Sequence, residues 1–170
     1  MTTEREVEPE PKLEPIPSEP LRMVEMVFPN NTNHYGTLFG GKVLDLMDRA
    51  AFLAATRFAH QTMVTASTEH IDFFTPVKSG QIVELVAKVV FTGKTSLTVK
   101  VDLFSEDAIR KTRVHASQGY FHMVAVNEEG KPVRVPELTL ENEHDRAEWQ
   151  EVKALREFRK SRTLKKGKSI

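Results

Sequence analysis

The 170-residue sequence contains no cysteine, which excludes a disulfide framework, a thiolate metal site and a cysteine nucleophile together. It has no net charge either: 24 lysines and arginines balance 24 aspartates and glutamates, so no global basic field exists to hold nucleic acid or an anionic membrane. No run approaches the roughly 18 consecutive apolar residues that a membrane span needs. No basic start leads into an apolar stretch, so a secretory signal is not expected and a cytoplasmic location is. The six histidines show no zinc-binding spacing, and no metal or cofactor is expected. A Gly-x-Ser-x-Gly elbow, a phosphate loop and a dinucleotide fingerprint are all missing. Chemistry must come from oxygen and nitrogen groups on what 39% hydrophobic and 28% charged residues mark as one globular domain.

The charge balance hides two opposite tails. Residues 1–20 hold six glutamates against Arg5 and Lys12, and five of the nine prolines fall in residues 9–20, so 1–19 reads as a disordered acidic tail. Residues 164–170 read as a basic disordered tail. Residues 140–163 are dense in Glu, Arg and Lys with scarce apolar positions, the pattern of a peripheral amphipathic helix. Its Trp149 is expected to anchor that helix on the body or on a neighbouring subunit.

Between the tails, residues 20–139 form the expected domain. Leu21–Phe28 reads as a strand ended by Pro29 and an asparagine cluster. Residues 41–59 form a helix whose apolar positions cover nearly the whole circumference, the signature of a buried central helix. Four strands follow, over 63–74, 81–91, 96–104 and 112–126. Turns are marked by Pro76 with Ser79-Gly80, by Gly93-Lys94, by Glu106-Asp107 and by Glu128-Glu129-Gly130, and their short spacing favours hairpins. Along 97–103 the alternation predicts one covered and one more exposed face. One strand, one apolar helix and four more strands imply an α+β fold, a curved antiparallel sheet packed around a single helix.

Two features of the central helix suggest chemistry. Lys42, Asp45, Arg49 and Thr56 make its one polar stripe, but Asp48 shares a row with Leu44, Ala51 and Ala55. An unpaired carboxylate in an apolar row is expensive, so it is either catalytic or a structural acid capping a loop or pairing with Arg49 or Arg57. Directly before the helix stand Gly40 and Gly41. Free amides of the first helical turn, at the positive end of the helix dipole, suit a carbonyl oxygen acquiring negative charge.

The ordered motifs Asn33-x-x-Gly36-x-x-x-Gly40-Gly41-Lys42, Leu46-Met47-Asp48-x-x-Ala51, Val64-Thr65, Phe74-x-x-Pro76-Val77-x-x-Gly80 and Gly93-Lys94-Thr95-Ser96-Leu97 span residues 21–127. Together they resemble the acyl-coenzyme A thioester hydrolases of the hotdog fold, in the short-chain bacterial and brain-type branch. The resemblance implies a five-stranded antiparallel sheet around one long helix, and hydrolysis of acyl-CoA to fatty acid and coenzyme A. It implies Asp48 as general base or nucleophile and Asn33 orienting water or substrate. Gly40 and Gly41 then serve as the oxyanion site, Thr65 lines the reacting end, and Gly93, Lys94, Thr95 and Ser96 contact coenzyme A. It further implies a dimer whose site spans the interface, and a hexamer built as a trimer of dimers. The alternative from another class is a non-catalytic acyl-CoA sensor on the same fold; a pure binder has no need of a carboxylate in an apolar row.

Overall fold

The computed structural model describes residues 13–166, with side chains through residue 161. The elements run β1 (Leu21–Met26), a short 3-10 turn (Pro29–Asn31), α1 (Gly40–Ala59), β2 (Thr62–Phe73), β3 (Ile82–Thr92), β4 (Ser96–Asp107), β5 (Thr112–Val126) and α2 (Glu143–Lys166). The five strands form one antiparallel sheet in the order β1-β3-β4-β5-β2. The α+β hotdog arrangement expected from the sequence is the one observed.

The sheet curves around α1 because the helix face turned to it is small. Ala50, Ala51 and Ala55 are fully buried there, as is Met47. Gly119 on β5 completes this close approach: a Cβ at that position would collide with the Ile71 side chain and press on Met47 Cε at 3.3 Å. Val99, Val101 and Leu103 of β4 point into the same core without exposure.

Several expectations are corrected. The segment between β2 and β3 does not close a hairpin: β2 lies at the sheet edge beside β5, whereas β3 lies between β1 and β4. This crossing segment is pinned instead to the loop before α1, through Leu38 N–H to Val77 O (2.8 Å) and Ser79 N–H to Gly36 O (3.0 Å). The turn expected at Glu106-Asp107 falls after it, because Asp107 Oδ1 accepts the amides of Ile109 and Arg110 from the strand end. Leu44, Phe52 and Leu53 are 37–43% exposed, so the helix is buried on its sheet side only.

The second face of β4 is covered as well. Helix α2 lies across the outer side of the sheet, capped by Asn142 Oδ1 accepting the Asp145 amide at 2.9 Å. Asp145, Glu148, Val152, Arg156 and Arg159 recur at spacings of three and four and meet, in turn, Lys88, Lys100, the Val90–Tyr120 patch, Thr98 and Ser67. Trp149 packs on Phe91 with ring centroids 5.2 Å apart, so it anchors the helix on the body.

The expected tail is also corrected over residues 13–19. Ile16 donates to Glu137 O at 2.9 Å and accepts from Thr139 at 2.8 Å, and the Ser18 hydroxyl accepts the Val89 amide at 2.9 Å. The rest of that tail, 1–12, and residues 167–170 of the basic tail lie outside the described residues. Helix α2 continues beyond its expected end at 163.

Candidate active site

Helix α1 starts without a side-chain cap. Phe39 is its N-cap residue, and Phe39 O accepts the amides of Lys42 and Val43 at 2.9 Å each. The amides of Gly40 and Gly41 find no acceptor among the described residues. A Cβ at Gly41 would meet nothing within 4 Å, and one at Gly40 would touch only the Phe73 ring at 3.7 Å. Packing within the chain does not require these glycines. They leave open room beside two unspent donors at the positive end of a helix.

Asp48 sits two turns into α1, half-buried. Its Oδ1 accepts a hydrogen bond of 2.7 Å from the Thr65 hydroxyl of β2, and it has no cation partner among the described residues. Arg49 turns instead to Glu25 (3.4 Å) and Asp45 (3.8 Å), so the pairing considered for Asp48 does not form. Asp45 is the exposed surface acid expected of it, bound to Lys42 at 2.7 Å. Thr65 reaches Asp48 from an edge strand whose register shifts between Thr65 and Ser67, leaving Ala66 as an extra residue.

Asn33 shapes the loop ahead of the helix. Its Oδ1 accepts from the amides of Tyr35 (3.0 Å) and Thr37 (3.2 Å) and from the Thr37 hydroxyl (3.1 Å). Gly36, at a φ of 73°, closes the turn by donating to Asn33 O at 2.9 Å. With its carbonyl occupied, the remaining function of the side chain is its NH₂ donor. No hydrogen bond joins Asn33 to Asp48 among the described residues.

The Gly93–Ser96 turn joins β3 to β4. Gly93 N–H donates to Ser96 O at 2.7 Å, and the carbonyls of Lys94 and Thr95 accept from Val135 (3.1 Å) and Ala125 (3.0 Å). Lys94 overhangs a groove of about 1090 Å³ bounded by Leu13, Arg134 and Trp149. Lys94 and Thr95 also border Gln61, just beyond the C-terminus of α1, whereas Gly40 stands at its N-terminus. A helix of 20 residues is about 30 Å long, so one chain holds its two expected substrate-binding regions at opposite ends of α1.

A model of the thioesterase superfamily matches residues 35–110. The uncharacterized acyl-CoA thioester hydrolase YkhA of Bacillus subtilis (strain 168) is 35% identical over 119 residues, 70% of this chain and 69% of that protein. The chain belongs to the acyl-CoA thioester hydrolases. Among solved structures, an acyl-CoA hydrolase from Staphylococcus aureus in complex with butyryl coenzyme A, coenzyme A and coenzyme A disulfide superposes with a TM-score of 0.80. It is 32% identical, with 88% of this chain and 92% of that chain covered. An apo-hexameric acyl-CoA thioesterase gives a TM-score of 0.85 at 35% identity, covering 89% and 98%. The enzyme reading thus stands over that of a sensor without turnover.

The hydrolase also carries a polar cluster around His122, a residue that none of the sequence motifs includes. His122 on β5 is buried, with Nδ1 2.8 Å from Thr98 Oγ1 and Nε2 2.7 Å from Glu69 Oε2. Arg156 of α2 donates to Thr98 Oγ1 at 2.9 Å and to Ser96 Oγ at 2.8 Å, and lies 3.3 Å from His122 Nδ1. Because arginine only donates, the Thr98 hydroxyl is free to donate to Nδ1, which puts the imidazole proton on Nε2, facing Glu69. Burial holds the imidazole below its ordinary pKa; Glu69 opposes the shift and the two arginines add to it. The available signal was the three-and-four spacing of the α2 residues that meet the sheet. Among the described residues no group of three or more His, Asp or Glu is placed to hold a metal ion.

Proposed function

We propose that the enzyme hydrolyses acyl-CoA with Asp48 as general base or nucleophile, in a site completed by a second copy of the chain. The observation that carries this is the Asp48–Thr65 pair: a half-buried carboxylate, unpaired with any cation among the described residues, held by a single hydroxyl at 2.7 Å. A carboxylate so placed keeps an oxygen free to take a proton or to attack. Alanine variants of the Staphylococcus aureus hydrolase have been solved at one asparagine, one aspartate and one threonine. Those three are spaced along that chain as Asn33, Asp48 and Thr65 are along this one, which supports giving the three one role.

The site is shared because of distance. Gly41 and Asp48 are two turns apart on one helix, about 10 Å along its axis, too far to act on one carbonyl group. Two copies of α1 packed antiparallel put the Gly40 and Gly41 amides and the Asn33 loop of one chain beside Asp48 of the other. The surfaces for that contact are the open side of α1, with Leu44, Phe52 and Leu53, and the free edge of β2, with exposed Val64. The Gly93–Ser96 turn then holds the coenzyme A moiety. Dimers assemble further into a hexamer, as a trimer of dimers. Residues 20–139 form the hydrolase domain, and the helix expected over 140–163 is its outer support. In this reading the enzyme works in the cytoplasm; no helix among the described residues is long and apolar enough to cross a membrane.

In the general-base route Asp48 takes a proton from a water whose oxygen bonds to the thioester carbon. The carbonyl oxygen gains charge against the Gly40 and Gly41 amides, and Asn33 orients the water or the substrate. Collapse of the tetrahedral species breaks the C–S bond, and the coenzyme A thiolate leaves with the proton returned by Asp48. In the nucleophilic route Asp48 itself displaces the thiolate, and water hydrolyses the resulting mixed anhydride.

Thiol release from a panel of acyl-CoA substrates, compared with Asp48→Asn and Asn33→Ala proteins, tests the assignment. Asp48→Asn is expected to lose about 10²–10⁴-fold in kcat while remaining folded and assembled. Retention of wild-type turnover by that variant would remove Asp48 from the chemistry.

A further inference from the structure

Between the C-terminal half of α2 and the β2, β4 and β5 strands lies a second cavity, of about 490 Å³, lined by Ser67, Ser96, His122, Arg156, Arg159 and Lys160. Its charges do not balance as they do elsewhere under α2. Lys88 meets Asp145 at 2.7 Å and Lys100 meets Glu148 at 2.9 Å, so each of these partly buried cations has its own carboxylate. Arg156 is partly buried too, yet its guanidinium bonds only to the neutral acceptors Thr98, Ser96 and His122, and it makes no ion pair among the described residues. Glu69, the carboxylate that reaches this cluster among the described residues, is taken up by His122 at 2.7 Å and stands 3.9 Å from Arg159 Nε. Among the described residues, Arg156 is therefore the partly buried cation of this cavity that has no carboxylate of its own.

A cation held away from water and left without a counter-ion is unfavourable unless an anion arrives to pair with it. The guanidinium is positioned for that by the Phe91 ring, 4.9 Å from its carbon, and by the Thr98 and Ser96 hydroxyls. Two arginines, a lysine at the rim and two serine hydroxyls match a doubly charged phosphate better than a single carboxylate. Ser96 belongs to the Gly93–Ser96 turn and borders this cavity, whereas Lys94 borders the larger groove.

We infer that the Arg156–Arg159–Lys160 cavity under α2 binds a phosphate monoester. Two sources share this chemistry, the 3′-phosphate of the coenzyme A portion of the substrate and a separate small phosphate ester; the first rests on the function proposed above.

The test compares an acyl-CoA with its dephospho-CoA counterpart, which lacks the 3′-phosphate, on wild-type, Arg156→Met and Lys160→Glu proteins. Calorimetric titration of each protein with adenosine 3′,5′-bisphosphate runs alongside. If the substrate supplies the phosphate, Arg156→Met raises KM for acyl-CoA about tenfold with kcat held, and leaves the already weakened dephospho substrate unchanged. If a separate ester supplies it, the bisphosphate binds wild-type protein, binding is lost in the variants, and both thioesters behave alike. Unchanged KM for both thioesters together with no bisphosphate binding to wild-type protein would overturn the proposal. Lys160, exposed at the rim, carries the test if Arg156→Met does not fold. Absence of turnover with every thioester would count against the proposed hydrolysis alone, because the titration reads the cavity directly.

Discussion

At the scale of single residues, the contact between Asp48 and Thr65 decides how the carboxylate is used. The Thr65 hydroxyl occupies one oxygen and fixes the rotamer, leaving the other for water or for the thioester. Thr65→Val keeps the shape and removes the donor, so kcat is expected to fall about tenfold, less than for Asp48→Asn, with KM little changed. Steady-state kinetics on the folded variant reads this directly. The Asp48 position was legible because a carboxylate stood in an apolar row; its partner was not, because a threonine on a strand looks the same whether or not it touches a helix.

His122 gives a second residue-scale expectation, on stability. Burial lowers its folded pKa below the ordinary 6.5, so between those two values the unfolded chain binds more protons than the folded one. Stability from this group is complete above about pH 6.5 and is lost as pH falls through the folded pKa. Denaturant midpoints measured across that range are expected to fall toward acid more steeply in wild-type protein than in His122→Gln. Parallel profiles would show that the imidazole does not titrate between the two states.

At the scale of elements, α2 is held on the sheet by ion pairs that flank a small apolar patch. Among the described side chains of α2, Val152 alone is fully buried, and the Asp145–Lys88 and Glu148–Lys100 pairs precede it on the same face. Lys100 remains protonated although burial opposes it, because the Glu148 hydrogen bond and charge outweigh that burial. Glu148→Ala leaves Lys100 half-buried without its partner and is expected to cost about 1–3 kcal/mol, read as a lower denaturation midpoint and faster amide exchange over α2. In the sequence this helix reads only as peripheral and amphipathic. Charged residues read alike on a wet face and in an ion-paired seam, and only the opposing lysines of β3 and β4 distinguish them. Similarly, alternation in β4 marked its core face, but the cover over Thr98 and Lys100 depends on where α2 lies.

At the scale of the whole molecule, a site shared between copies makes subunit mixing informative. In a random mixture of Asn33→Ala and Asp48→Asn chains, half of the dimers are hybrids, each with one intact and one doubly altered site. Activity is expected to recover to about one quarter of wild type after co-refolding, although each variant alone is nearly inactive. No recovery would mean that each chain builds its site from its own Asn33 and Asp48. The open side of α1 belongs to the same scale, because Leu44 and Leu53 read as core in the sequence and are exposed, beside Phe52, in the single chain.

The sequence by itself determined the element order, the burial of the small-residue face of α1 and the candidate chemistry, because hydrophobic periodicity, turn residues and the glycine pair are local signals. Tertiary structure decided the crossing between β2 and β3, the contact of Thr65 with Asp48, the close approach that requires Gly119, and the separation of Gly40 from the Gly93–Ser96 turn. It also decided that Arg156 of α2 faces the sheet with no carboxylate partner among the described residues. Each of these depends on residues distant in the chain being brought within a few ångströms, and no local pattern encodes which distant residue will arrive.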